Sequence, residues 1–159
     1  MSITEKDKEY MREAIRLADE SVKNGGGPVG AVIVRNGEIV AGSANSVTRD
    51  NDPTAHAEVN TIRQAYKKLG TFDLSDCVIY TSCEPCPMCL GAIYWARIKK
   101  IYYGNTKKDA ADINFADDFI YKELEQRKEK RFVPLISLLR NEALKTFRAW
   151  EAKQDKVEY

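Results

Sequence analysis

The chain has 159 residues, 43% of them apolar and 31% charged, with a formal net charge of +1. That composition suits one soluble domain spanning residues 1–159, and so small a net charge gives no bulk field to draw it to nucleic acid or an acidic membrane. No apolar stretch approaches the length of a membrane span, and residues 1–6 lack a secretory apolar region, so the expectation is a cytoplasmic protein with no membrane partner.

In chain order, Ser2-Ile3-Thr4-Glu5 fits a capping box, and Met11, Ala14, Ile15, Ala18 and Val22 form an apolar stripe at helical spacing. A first helix is therefore predicted to about Lys23, stopped by Asn24-Gly25-Gly26-Gly27-Pro28, which reads as a plain helix-to-strand loop. Val29–Val34 and Ile39–Ala44 read as strands around Asn36-Gly37, because both central residues of a type I′ turn need positive φ. Residues 46–53 are turn-rich loop, and Thr54 to Leu69 is a second helix ended by Gly70.

The run Cys77–Thr81 reads as a buried strand, Cys86 to about Arg97 as a helix, and Lys100–Tyr103 as another strand. This alternation implies parallel pairing with helices covering the sheet. Beyond Gly104 the periodicity weakens. Residues 105–118 carry four aspartates, residues 119–125 suit a short helix, and Arg127–Arg131 reads as a solvated connector. Phe132–Leu138 looks like an edge strand because it contains Pro134, and Asn141 to about Asp155 looks like a last helix.

The cysteines lie at 77, 83, 86 and 89, and His56 is the only histidine. Such crowding in a chain without a secretion signal points to metal or redox chemistry. Pro85 and Pro87 bracket Cys86 and fix a helix start there, since proline is tolerated only in the first turn. Thiolates at a helix N-terminus are favoured by the free N–H groups, and thiolate with imidazole suits zinc.

Two zinc arrangements compete. In one, Cys83 joins Cys86, Cys89 and His56 to saturate a structural site of a binding module. In the other, Cys83 is core like Cys77, and one zinc per chain is held by His56, Cys86 and Cys89 with a water or hydroxide in the fourth position. The second fits better, because Cys83 precedes Pro85 and lies outside the helix. His56 and Glu58 would lie about 200° apart on a regular helix, so they share a target only beyond its first turn. A carboxylate placed there has no use in a structural site, but it suits proton transfer to and from the water.

His56-Ala57-Glu58 with Pro85-Cys86-Pro87-Met88-Cys89 matches the known signature of zinc-dependent nucleobase deaminases. With Pro28-Val29-Gly30-Ala31 and Asp52-Pro53-Thr54-Ala55 added, the chain resembles the cytidine and deoxycytidylate deaminase superfamily over residues 5–105. Two branches, bacterial guanine deaminases and tRNA adenosine deaminases, share these motifs. Residues 81–86, 92–97 and 119–123 and the ending Glu158-Tyr159 look like the guanine deaminases. Val29 is more usual in the tRNA enzymes, so both branches stay open, as does guanosine or another free base.

The resemblance implies a three-layer α/β/α fold with a five-stranded mixed sheet and a homodimer in which residues 105–159 are open to exchange. It implies a purine substrate and hydrolysis of guanine to xanthine and ammonia. Position by position it makes His56, Cys86 and Cys89 zinc ligands and Glu58 the proton shuttle. Asn45 and Asp117 become base-binding residues, and Tyr159 an aromatic that closes a pocket. Tyr94, Trp95 and Trp150 are read as packing residues rather than base-stacking ones.

Overall fold

The computed structural model describes residues 2–159. They fall into two compact units, one ending at Asp118 and one running from Phe119 to Tyr159.

In the first unit the order is α1 (Glu5–Lys23), β1 (Gly30–Arg35), β2 (Glu38–Ala44), α2 (Val47–Asp50), α3 (Ala57–Leu69), β3 (Cys77–Cys83), α4 (Pro87–Trp95), β4 (Lys100–Asn105) and α5 (Lys107–Asp112). The first helix starts two residues later than the sequence suggested. Thr4, not Ser2, is the N-cap, because its hydroxyl accepts from the Asp7 N–H while the Asp7 carboxylate accepts from the Thr4 N–H. Asn36 and Gly37, with φ of 52° and 78°, make the tight turn from β1 to β2.

The sheet order is β2-β1-β3-β4. β3 and β4 pair in parallel, as the helix between them requires, whereas β1 is antiparallel to both β2 and β3. The expected parallel alternation therefore holds for the direction of β2, β3 and β4. The hairpin places β1 between β2 and β3, which periodicity alone does not reveal. Because three strands run one way, their C-terminal ends share one edge of the sheet.

Helices cover both faces. On one face Tyr10, Met11 and Leu17 of α1 pack on Val32, Val34 and Tyr80. On the other, Ala57 and Ala65 of α3 and Ile93 of α4 enclose Ala31, Ile33 and Ile79. Cys77 is core, as read from the sequence. The packing role assigned to Tyr94 and Trp95 is not met, since both lie on the outside of α4, 74% and 68% exposed.

The sheet has four strands among the described residues, not five. Residues 132–138, expected to be an edge strand, are irregular, and Phe132, Ile136 and Leu138 are each more than four-fifths exposed. Pro134 removes one ladder donor there. The second unit otherwise contains most of α6 (Asp117–Glu125), a 3₁₀ turn at Lys128–Lys130 and α7 (Arg140–Ala152), none of which has a buried residue. Trp150 is exposed as well.

Ile79 on β3 is fully buried between β1 and the α3/α4 layer. Ile79→Ala is expected to lower unfolding free energy by about 2–5 kcal/mol. Urea denaturation monitored by circular dichroism measures this directly.

Candidate active site and metal centre

Two helices begin at the same point in space. His56 is the N-cap of α3 and Cys86 the N-cap of α4, both with extended backbone, and each carries its side chain into the space before the helix. The Cys86 Sγ accepts from the Cys89 N–H at 3.5 Å, so the thiol itself caps α4, and Pro87 occupies the first helical position. Asp52 fixes the approach to α3 by accepting from both the N–H and the hydroxyl of Thr54, at 2.8 and 2.7 Å.

The His56 Nδ1 lies 3.5 Å from the Sγ of Cys86 and 3.5 Å from that of Cys89. Among the described residues these three form the one cluster able to hold a metal, with ligand atoms all within 4.8 Å of each other. A tetrahedral zinc with ordinary Zn–N and Zn–S bonds separates imidazole nitrogen from thiolate sulfur by about 3.6 Å, so the spacing fits zinc. Cys83 is not in the cluster, and the saturated four-ligand arrangement is therefore not built.

The charge states agree with this use. Hydrogen bonding from Cys89, aided by the His56 contact, holds the Cys86 thiol down at about 4, and Cys89 is correspondingly pushed up. Contact with Cys86 raises His56. Burial raises Cys83 to about 11, which keeps it a neutral thiol. The donor set is thus a thiolate, a thiol readily deprotonated by a cation, and an imidazole.

A cavity of about 500 Å³ opens beside the cluster. Its wall includes Asn45 just after β2, Cys83 and Glu84 at the end of β3, and Asn105 at the end of β4, so it lies at the shared C-terminal edge of the three co-directional strands. His56, Cys86, Glu58 and Asp117 line it too. The sequence reading had brought all of these except Cys83, Glu84 and Asn105 to one site. It missed the walls added by Gly25–Pro28, α5 and Phe115. A Cβ on Gly27 would come within 2.7 Å of the Asn45 Cγ, so the glycine makes room for that side chain. The signal available in the sequence was the Gly-Gly-Gly-Pro run, which served as a loop reading only.

Glu58 is 4% exposed and sits in the first turn of α3. Burial raises its pKa above the usual carboxylate range, and the Thr81 hydroxyl lies 2.9 Å from its Oε1. Burial also raises Asp117. The Asn45 Oδ1 accepts from the Val47 N–H at 3.1 Å, which leaves its Nδ2 as the donating end. Tyr159 belongs to the second unit, where it is 71% exposed.

With this geometry established, the comparisons with known proteins are specific. The family described as the cytidine and deoxycytidylate deaminase zinc-binding region matches residues 4–105.

The chain belongs to this deaminase family.

It is 52% identical to the guanine deaminase of Bacillus subtilis (strain 168), over 94% of this chain and 97% of that one. A solved structure of guanine deaminase from Bacillus subtilis superposes with a TM-score of 0.92 at 50% identity, covering 99% of both chains. The tRNA-specific adenosine deaminase of Bacillus subtilis (strain 168) is 43% identical, but only over 62% of this chain and 61% of its own length. The deaminase fold is therefore shared with both relatives, and the likeness to the first continues through the second unit.

Two outcomes follow for this deaminase. His56→Ala is expected to drop bound zinc from about one per chain to near zero, because no other histidine can replace it; elemental analysis after dialysis reads it. The raised Glu58 pKa also fixes a pH trend in the metal-free protein. A carboxyl raised in the folded state costs stability as pH climbs from its unfolded value, about 4.5, through its folded one. Glu58→Gln should then be more stable than wild type at pH 8, with the difference vanishing below about pH 4. Chemical denaturation across that range is the measurement.

Proposed function

We propose that this protein is a zinc-dependent aminohydrolase that converts guanine to xanthine and ammonia. The observation that carries the reading is Glu58, a nearly fully buried carboxyl facing the same cavity as the His56–Cys86–Cys89 cluster. A structural metal site has no use for a buried acid, whose desolvation disfavours its charge, whereas proton transfer does. The similarity to a guanine deaminase along nearly the whole chain supports guanine as the substrate.

His56, Cys86 and Cys89 would hold the zinc, which when bound supplies Lewis-acid activation of a water. Glu58 takes a proton from that water and gives it to N3 of the purine as the C2–O bond forms. The same carboxyl then carries the proton of the new C2 hydroxyl to the exocyclic nitrogen, and the C2–N bond breaks to release ammonia and leave the C2 carbonyl of xanthine. The raised Glu58 pKa suits this duty, because a carboxyl far below neutrality would release its proton to solvent before the ring could receive it.

Asn45 presents its Nδ2 to an acceptor on the purine edge, since its Oδ1 is already engaged by Val47. Asp117 accepts from a ring N–H. Together they read a face that offers both donors and acceptors, as guanine does. No lysine or arginine lines the cavity among the described residues, while Glu58, Glu84, Asp109 and Asp117 do. A phosphate entering the cavity would find four acidic side chains and no lysine or arginine to pair with, which favours a free base over a nucleotide. The tRNA adenosine reading has the weaker support, since the tRNA-specific adenosine deaminase of Bacillus subtilis is 43% identical over 62% of this chain, against 52% over 94% for the guanine deaminase.

The protein is further proposed to act as a homodimer in the cytoplasm, with residues 105–159 exchanged between subunits and Tyr159 closing a pocket. The support is physical: Phe132, Val133, Ile136, Leu138 and Phe147 are exposed in a unit with no buried core of its own, and such residues gain by being covered. No helix among the described residues is long and apolar enough to cross a membrane.

The test is incubation of the zinc-loaded protein with guanine, with xanthine followed by absorbance and ammonia by a coupled assay. Stoichiometric formation of both is expected. Turnover of tRNA adenosine with none of guanine would overturn the proposal. Glu58→Gln should keep its zinc and lose at least about 10²–10⁴-fold in kcat.

A further inference from the structure

Thr81 lies on β3, the central strand that pairs with β1 on one side and β4 on the other. It is completely buried. The hydroxyl sits 2.9 Å from Glu58 Oε1 and 3.0 Å from the carbonyl oxygen of Cys83.

A hydroxyl has one hydrogen to donate, and here two acceptors face it. An ionised carboxylate is the stronger of the two, since a charge-assisted hydrogen bond is roughly twice as strong as a neutral one. The hydrogen therefore goes to Glu58 Oε1 whenever Glu58 carries charge. That engages Oε1 with the sheet, and the carboxyl, which also has the Cys89 side chain as a hydrogen-bond partner, is left to exchange protons through Oε2. The contact spans 23 residues of sequence and ties the first turn of α3 to the middle of the sheet. Through Cys83 the same side chain also touches the strand end from which the Pro85–Cys89 segment departs. One side chain thus connects the acid to the segment that carries two sulfur ligands.

We infer that Thr81 is a positioning residue for the proton carrier: its hydroxyl holds the Glu58 carboxyl in the rotamer that aims Oε2 at the reacting atoms. This rests on the reading of Glu58 as the shuttle in guanine hydrolysis. A buried glutamate has three side-chain torsions to fix, and the first turn of a helix does not fix the last of them. Misplacement by an ångström is enough to cost a large factor in a proton-transfer step.

The experiment compares Thr81→Val, which keeps the shape and removes the hydroxyl, with Thr81→Ser, which restores the hydroxyl. Thr81→Val should lose about 10- to 100-fold in kcat on guanine, the size of one hydrogen bond to a charged group. Its KM should stay within about threefold, as Thr81 does not line the cavity. Zinc content and melting temperature should stay close to wild type, and Thr81→Ser should recover most of the lost kcat. If Thr81→Val is too unstable to purify, Thr81→Ala is read in the same way. A Thr81→Val enzyme with wild-type kcat overturns the inference, as does a Thr81→Ser enzyme equally impaired, or a loss of kcat that simply follows loss of zinc or of fold.

A second readout is independent of turnover. Isotope-edited infrared spectra of the zinc-loaded protein without substrate contain a Glu58 carboxyl band, identified by its disappearance in Glu58→Gln. Thr81→Val should shift that band and Thr81→Ser should return it. An unmoved band defeats the positioning role whatever the substrate. A shifted band in a protein that does not turn over guanine would instead uphold the contact and reject the proposed function.

Discussion

The structure depends on a convergence of two helix N-termini on one point. His56 and Cys86 are both N-caps, so each leaves the regular helix just where unsatisfied N–H groups gather, and each faces the other across the space in front. The partial positive charge of α4 favours a thiolate on Cys86, and the thiolate in turn accepts from the Cys89 N–H. Without a cation the Nδ1 of His56 lies 3.5 Å from two sulfurs, an arrangement in which protons alone must satisfy three groups that are all metal ligands by type. A divalent ion resolves that arrangement and ties α3 to α4.

That convergence is possible because the sheet delivers both helices from the same edge. β2, β3 and β4 share a direction, and each ends at the cavity: Asn45 follows the first, Glu84 the second, and Asn105 closes the third. β1 runs against them and contributes Val29 from its own entry. Backbone pairing locks the registers, with Thr81 opposite Ala31 on one side and Tyr103 on the other. A displacement of one residue in β3 would turn Thr81 to the α1 face and carry the metal loop with it. Sheet register and acid geometry are therefore one constraint.

The sequence revealed those parts whose chemistry is local. Pro-Cys-Pro-Met-Cys declares a helix start with two sulfurs, His-Ala-Glu declares a ligand and an acid, and Asn36-Gly37 declares a tight turn, because each rests on covalent geometry or ligand identity within a few residues. What stayed hidden was non-local. Nothing in β1 says that it inserts between β2 and β3, and Thr81 reads as one more β-branched strand residue until α3 is laid over it. The 132–138 segment has strand composition but no partner, so intrinsic preference without a neighbouring ladder gave the wrong element. Tyr94 and Trp95 misled in the opposite way, since their apolar bulk suggested burial and α4 turns them outward.

The price of the arrangement falls on Glu58. Its carboxyl is almost wholly removed from water, which disfavours its charge, and no lysine or arginine faces it from the cavity wall. The hydrogen bond from Thr81 offsets part of that penalty, and the cation between His56, Cys86 and Cys89 would offset more. A chain selected only for stability would place Gln or Met there. The acid is retained in a site that resists its ionisation, next to a cluster that needs a metal, and both oddities have the same explanation. Each is unfavourable alone, and they become useful only when one proton of a water must pass to the ring nitrogen beside the reacting carbon and the other must leave with ammonia.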